Sequence, residues 1–321
     1  MRKITVTEGD TNRRADKFLF EHCPALPKSA VYKAFRNKDI RRNGKRCRFD
    51  EILSAGDEMT VWLPDRAFDA PEAASGNPEL FRPVFTGENY LLADKPAGIP
   101  VQSGGKGQLP CLTDCAAAWE RQALQTDSPF RPAPCHRLDT NTSGLVLFAR
   151  TPAAARAFTD AQKIQAVSKQ YLCICIGRPP KNADTVRGYW RKDEKNNRAE
   201  ILARPFEGAK EAVTVYRLLA EENGLSLLEV RLETGRSHQI RAQMKALGCP
   251  LLGDIKYTSV QQQKPYGLNH QALTAYRLSF DRAADRFPPM KELAGKTFSS
   301  ALPPVFERFF PRYFKKISDR L

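Results

Sequence analysis

The chain has 321 residues, room for two domains, and carries 51 Lys or Arg against 36 Asp or Glu, a formal charge of +15. A surplus of that size points to a polyanionic partner, nucleic acid before others, and argues against an acidic or membrane-embedded class of protein. No apolar run reaches the length of a bilayer and the start MRKITVT has no signal-peptide core, so a cytoplasmic protein with no membrane partner is expected. Eight cysteines without a C-x-x-C pair, and only four histidines, predict reduced thiols with neither a disulfide framework nor a metal site.

In chain order, the charge concentrates first. Between Asn12 and Arg48 stand twelve Lys or Arg against three acids, a net of +9. Phe18, Leu19 and His22 follow helical spacing, and Val31, Ala34 and Phe35 do so again after the break PALPKS, where Pro27 or Ser29 would start a second helix. In IRRNGKRC, Asn43-Gly44 between short basic strands signals a two-residue hairpin, because both central positions of that turn need positive φ. GDEMTVWLP then reads as a strand ending at Pro64. The stretch from Arg13 to Cys47, with its R-x-D start, second helix and N-G-K hairpin, resembles the S4-type RNA-binding domain. That resemblance implies RNA contacts by Arg41, Arg42, Lys45 and Arg46 within a module spanning residues 1–64.

Residues 65–83, with Pro71, Pro78 and Pro83 and no periodicity, read as a linker to a second domain over 84–321. There NYLLAD and GLVLFA read as buried strands and CLTDCAAAWERQAL as a helix. Thr151-Pro152 supplies an N-cap and first-turn proline for the helix bearing Ala155, Phe158 and Ala161. YLCICIG, VTVYRLLA and LLEVRL continue as strands, Tyr171, Cys173 and Cys175 sharing one side and Leu172, Ile174 and Ile176 the other. Arg187 to Glu200 reads as an exposed, RNA-facing hairpin. The strands lack a βαβ rhythm, which predicts an α+β fold around a mixed, mainly antiparallel sheet.

Two stretches carry the chemistry. In CHRLDTNTSG an acid, Asp139, stands between His136, Arg137 and a run of small polar residues. In LETGRSHQIRAQMKALGCPLLGDIKY a tight turn at Thr234-Gly235-Arg236 leads to Ser237 as N-cap and to a helix whose apolar stripe, Ile240, Met244 and Leu247, stops at Gly248. Arg236 is thereby held beside a helix N-terminus that favours anions.

Taken together, H-R-L-D with T-S-G at 136–144, Lys169-x-Tyr171, T-G-R-x-H-Q-I-R at 234–241 and G-x-P-x-x-G-D-x-x-Y at 248–257 resemble the RluA family of pseudouridine synthases. Lys95-Pro96 matches that family's first motif. The resemblance implies isomerisation of uridine in structured RNA without a cofactor, by a monomer, with 23S ribosomal RNA the expected target and tRNA the alternative. It implies Asp139, Tyr171 and Arg236 as catalytic residues, and Arg137, His136, Lys95 and Arg241 as RNA contacts.

The reaction breaks the N1–C1′ bond, turns the uracil and joins its C5 to C1′. A carboxylate can attack C1′, add to C6 or remove the 2′ proton, and sequence leaves all three open. Each needs an ionised carboxylate in a pocket the base fills, where burial favours the neutral form and a guanidinium offsets that cost. Arg236 is the implied partner of Asp139. Tyr171 suits stacking on the uracil, with acceptance of the C5 proton as a second role. By resemblance Arg137 fills the stack vacated by a flipped uridine and His136 supports the loop. Gln243 stands where the family usually has histidine, which predicts a structural or RNA-contact change with catalysis intact. A base-releasing glycosylase and a non-catalytic RNA-binding or ribosome-assembly protein are the competing classes.

Overall fold

The computed structural model describes residues 1–23, 26, 28–68, 76–103, 110–125, 130–193, 196 and 198–318. The chain divides into two compact units, Met1–Ser75 and Gly76–Leu321.

The first unit holds β1 (Arg2–Thr5), α1 (Ala15–His22), α2 (Lys28–Asn37), β2 (Ile40–Arg42), β3 (Lys45–Arg46) and β4 (Glu58–Val61). Its antiparallel sheet runs β1-β4-β2-β3. Phe18, Leu19, Val31, Phe35, Ile40, Met59 and Val61 form the core between helices and sheet. The hairpin turn has φ of 50° at Asn43 and 77° at Gly44, as the dipeptide requires. Asn43 adds a clamp, its Nδ2 donating to Asp57 Oδ1 at 2.8 Å while its Oδ1 accepts from the Glu58 amide at 2.8 Å. The R-x-D start is an ion pair: fully buried Asp16 accepts from Arg14 Nη2 at 2.9 Å and from the Tyr32 hydroxyl at 2.9 Å.

The second unit holds β5 (Pro83–Thr86), β6 (Tyr90–Lys95), α3 (Leu112–Leu124), β7 (Ala133–Pro134), β8 (Ser143–Ala149), α4 (Pro152–Lys163), β9 (Val167–Ile176), β10 (Ala183–Asp193), β11 (Arg198–Leu202), β12 (Lys210–Glu222), β13 (Leu225–Leu232), α5 (Gln239–Ala246), α6 (Val260–Gln263), β14 (Leu273–Phe280), β15 (Thr297–Ser299), α7 (Pro304–Phe309) and α8 (Pro311–Ser318). One sheet runs β11-β10-β12-β13-β9-β14-β8-β6-β5, with β15 on β14 and β7 on β8. Among the described residues every pairing is antiparallel except β14 with β8, so the α+β class with a mixed, mainly antiparallel sheet is the observed one.

That single parallel contact sits at the base of the CHRLDTNTSG loop, and its glycine has a steric reason. Gly144 pairs with Ala275 at φ 108°, and a Cβ there would lie 2.3 Å from the Ala275 carbonyl oxygen. Alternation along β9 divides the core: Tyr171, Cys173 and Cys175 pack on one face, Leu172 and Ile174 on the other with Phe306 and Phe310 of the C-terminal helices. Thr151 caps α4 by accepting from the Ala154 amide at 3.0 Å, with Pro152 in the first turn.

The linker is shorter than residues 65–83. Phe68 packs against the core of the first unit, and Phe81 is buried against Trp119 and Phe148 of the second, because an aromatic ring gains more from that core than from solvent. The remainder of the expected linker, 69–75, lies outside the described residues. Ser237 does not cap α5 either. The cap position is His238, in the left-handed region at φ 55°, and no side chain caps the helix; the buried Gln239 side chain instead pins the preceding turn by accepting from the Arg236 amide at 3.0 Å.

Candidate active site

The segment 100–102, the end of β7, the start of β9, the end of β13, the loop 135–142 and the start of α5 line a cleft of about 1320 Å³. Its wall includes Arg137, Asp139, Tyr171, Trp190, Arg236 and Arg241.

Asp139 is fixed from both sides of its peptide. Its carbonyl accepts from the Thr142 amide at 3.0 Å, closing a turn into β8, and the next carbonyl, Thr140, accepts from the Gly98 amide at 3.0 Å and from Lys95 Nζ at 2.8 Å. The Asp139 carboxylate meets Arg241, whose Nη1 lies 2.8 Å from Oδ2. Arg241 is itself held as a fork: Nε and Nη2 donate to the two oxygens of buried Asp254 at 2.7 and 2.8 Å. Asp254 follows Gly253, a residue at φ 80° whose Cβ would fall 2.0 Å from the His270 carbonyl oxygen. One buried guanidinium thus bridges two carboxylates. Only a planar, five-donor group can engage one carboxylate bidentately and still present a third N–H to another.

The sequence expectation for the arginines is therefore corrected. Arg236, assigned as the partner of Asp139, turns its Nε to the Glu211 carbonyl at 3.0 Å. Arg241, assigned to RNA, is buried and spent on the two carboxylates. The signal was present in the spacing: Arg241 lies three residues before Met244 and so shares the inward stripe of α5. Helix α5 is positioned by two buried amides. Gln243 donates from Nε2 to the Val186 and Ala212 carbonyls at 3.0 and 3.2 Å, and Gln239 donates to the Val213 carbonyl at 3.1 Å and to Thr214 Oγ1 at 2.8 Å. Gln243 is fully buried, which places its departure from the family pattern in the structure and not at a surface.

Two other assignments to RNA are also corrected. Lys95 is fully buried, its Nζ donating to the carbonyls of Pro96, Ile99 and Thr140 at 2.9, 2.7 and 2.8 Å. Burial pushes its pKa down to about 7, with the charge of Asp139 opposing the shift. It ties the Asp139 loop to β6. His136 turns inward: its Nε2 accepts from the Leu147 amide at 3.2 Å and its ring stacks on Phe158. Burial lowers its pKa to about 3, helped by the charge of Lys169. With Nε2 an acceptor, the proton of the neutral ring sits on Nδ1, a buried atom without a partner among the described residues. Arg137, between half-buried His136 and buried Leu138, is exposed.

Tyr171 lies on β9, 5% exposed, its hydroxyl pushed well above the usual phenol range by burial and then by the charge of Asp139. His238 closes the other side. Its Nε2 is 3.9 Å from Asp139 Oδ2 and its Nδ1 2.9 Å from the Tyr257 hydroxyl, and burial lowers its pKa against the pull of Asp139. Tyr257 lies under the Arg241 guanidinium, 5.0 Å from its ring centroid. Asp254, His238 and Tyr257 had no role in the sequence reading, although all three fall inside its motifs. The hairpin of β10 and β11 reaches the cleft with Trp190 and Arg198, and Trp190 Nε1 donates to the Ser237 carbonyl at 2.9 Å. In the first unit Arg41, Lys45 and Arg46 are exposed, while Arg42 is half-buried and ion-paired to Asp57 at 2.7 Å. Among the described residues no group of three or more metal-ligating side chains gathers.

Residues 89–246 match the family described as RNA pseudouridylate synthase. The chain is 29% identical over 315 residues to an RNA pseudouridine synthase of Mycoplasma pneumoniae, covering 95% of this chain and 96% of that one. It is 32% identical over 255 residues to the ribosomal large subunit pseudouridine synthase C of Rickettsia felis, covering 76% and 81%. Among solved structures it is similar to human RNA pseudouridylate synthase domain containing 4, at 25% identity and a TM-score of 0.57 over 73% of this chain and 93% of that one.

Proposed function

The chain belongs to the RNA pseudouridine synthase family, and from that premise we propose that it isomerises uridine in large-subunit ribosomal RNA, with Asp139 as the reacting carboxylate and the uridine flipped into the cleft. The observation that carries this reading is the Asp139–Arg241–Asp254 bridge in the wall of a cleft that also holds a buried tyrosine. The Rickettsia relative's name supplies the ribosomal target.

The geometry suits the chemistry. A uracil entering the cleft displaces water from Asp139, and the bridging guanidinium supplies the compensation a carboxylate needs in that setting. Because Arg241 is anchored by Asp254, the Asp139 oxygens hold their direction while the base turns, which is the positioning contribution to the rate. Isomerisation then needs the glycosidic bond broken, C5 joined to C1′ and the C5 proton released. Tyr171 presents a ring for the base to stack on. Burial and Asp139 both hold its hydroxyl protonated, so stacking is the role its surroundings favour over proton acceptance. Arg137 enters the stack the uridine leaves in this reading, which its exposure on the same loop as Asp139 supports.

The test is tritium release from ribosomal RNA labelled at uridine C5. Wild type expels the label, and Asp139→Asn releases none above background while binding the RNA with an affinity near wild type. Turnover by that variant would remove Asp139 from the reaction.

A further inference from the structure

Three lysines of the second unit lose affinity for their protons through burial, and their surroundings differ: Lys256 feels the opposing pull of Asp139 and Asp254. The ammonium of Lys95 is matched by three carbonyl oxygens. Lys169, on β9, is half-buried in the cleft wall, and among the described residues its ammonium has neither a hydrogen-bond acceptor nor a carboxylate. A cation withdrawn from water is costly unless an acceptor or counter-charge compensates it.

Its neighbours cannot supply that charge. Among the described residues the carboxylates of the cleft are paired elsewhere, Asp139 and Asp254 with Arg241 and Glu233 with Arg231, while the charge of Lys169 is felt by His136. Lys169 lines the same cleft as His136 and Asp139 without pairing to either among the described residues. The wall contributed by α4 through the start of β9 includes Thr159, Gln162, Gln165 and Ser168 beside the cation Lys163, and the one acid of α4, Asp160, is paired to Lys163 at 2.7 Å. Lys169 and Tyr171 are two residues apart on one strand, so they face the same side about 7 Å apart.

We propose that Lys169 grips a backbone phosphate of the RNA strand next to the target uridine, so that β9 holds the base at Tyr171 and the backbone at Lys169. The inference rests on the RNA reading above. The missing counter-charge arrives with the substrate, and Gln162 and Gln165 in the same cleft wall offer neutral donors to the RNA backbone. Lys169 is a binding residue in this assignment and touches no reacting atom.

The experiment compares full-length wild type, Lys169→Gln and Lys169→Arg in two assays. The first is the affinity for a uridine dodecamer between about 50 and 200 mM salt, where one phosphate contact contributes a slope of roughly 0.7. The second is tritium release from C5-labelled 23S ribosomal RNA. Lys169→Gln should weaken binding on the order of fivefold, flatten the slope by roughly 0.7 and raise KM with kcat within about twofold, and Lys169→Arg should restore slope and KM. An unchanged slope overturns the proposal, whether affinity stays wild-type or kcat falls at saturating RNA, since the latter would place Lys169 on the base. If wild type releases no tritium, the ribosomal target fails while the binding slopes still decide the phosphate contact. Should the Gln variant fail to fold, Lys169→Met keeps the packed stem and carries the same expectation.

Discussion

The cations of the two units are used in opposite ways. In the first unit Arg41, Lys45 and Arg46 line a hairpin, exposed to solvent, and the charge density that makes the segment conspicuous lies on its surface. In the second, Arg241 is 6% exposed and serves two carboxylates, and Lys95 is wholly buried and serves three carbonyls. Exposed charge attracts a polyanion at long range and is screened by salt. Buried, matched charge contributes little to attraction and instead fixes where a reacting group points. Counting charge along a sequence therefore finds the exposed cations, and overlooks the charges that hold the site.

The sharpest way to break that contrast is to empty the buried position. Arg241→Met leaves Asp254 buried without its cation and Asp139 without its guanidinium, and should cost about 3–5 kcal/mol of stability in chemical denaturation. A loss below about 1 kcal/mol would mean that the arginine is no more committed than a surface one.

The exposed set should respond differently. Replacing Arg41, Lys45 and Arg46 together with alanine should leave the denaturation midpoint nearly unchanged and flatten the salt dependence of RNA affinity by roughly 2, at 0.7–0.9 per phosphate contact. An unaltered slope would make the hairpin a solvated surface with no phosphate contacts, and would withdraw the S4-like reading of the first unit.

The smallest effect is a pH dependence at His136. Its folded pKa of about 3 lies below the unfolded value of 6.5, so between those limits the unfolded chain binds a proton that the folded chain refuses, and stability falls as the pH drops. Between about pH 6.5 and 4.5, above the range where ordinary carboxyl groups titrate, His136→Gln should flatten that decline while keeping an acceptor for the Leu147 amide. An identical decline in the variant would assign it to other groups.

What was legible in the sequence follows the same division. Local chemistry was readable wherever one residue type has a single backbone use: Asn43-Gly44 in the hairpin, Thr151-Pro152 at the start of α4, the alternation of Tyr171, Cys173 and Cys175. The H-R-L-D and T-G-R stretches likewise led to the cleft. The partner of Asp139 was not readable, because it depends on how α5 lies against β10 and β12, and that is settled by Gln239 and Gln243 bonding to carbonyls some 25 to 57 positions away. Arg236, on an obvious turn, looked the better candidate than an arginine inside a helical stripe. Lys95 was misread for a similar reason: its acceptors include Thr140, a carbonyl 45 positions along the chain that no local pattern reveals.

The most direct test sets the two arginines side by side. Single-turnover tritium release from the same C5-labelled ribosomal RNA is measured for Arg241→Lys and Arg236→Lys. A lysine at 241 keeps a charge but cannot fork to Asp254 and still reach Asp139, so release should slow by on the order of a hundredfold, about 2.7 kcal/mol in the barrier. Arg236→Lys, which alters a side chain bonded to the Glu211 carbonyl, should stay within about threefold of wild type. A large loss at 236 with normal turnover at 241 would contradict the account and return Arg236 to the catalytic carboxylate.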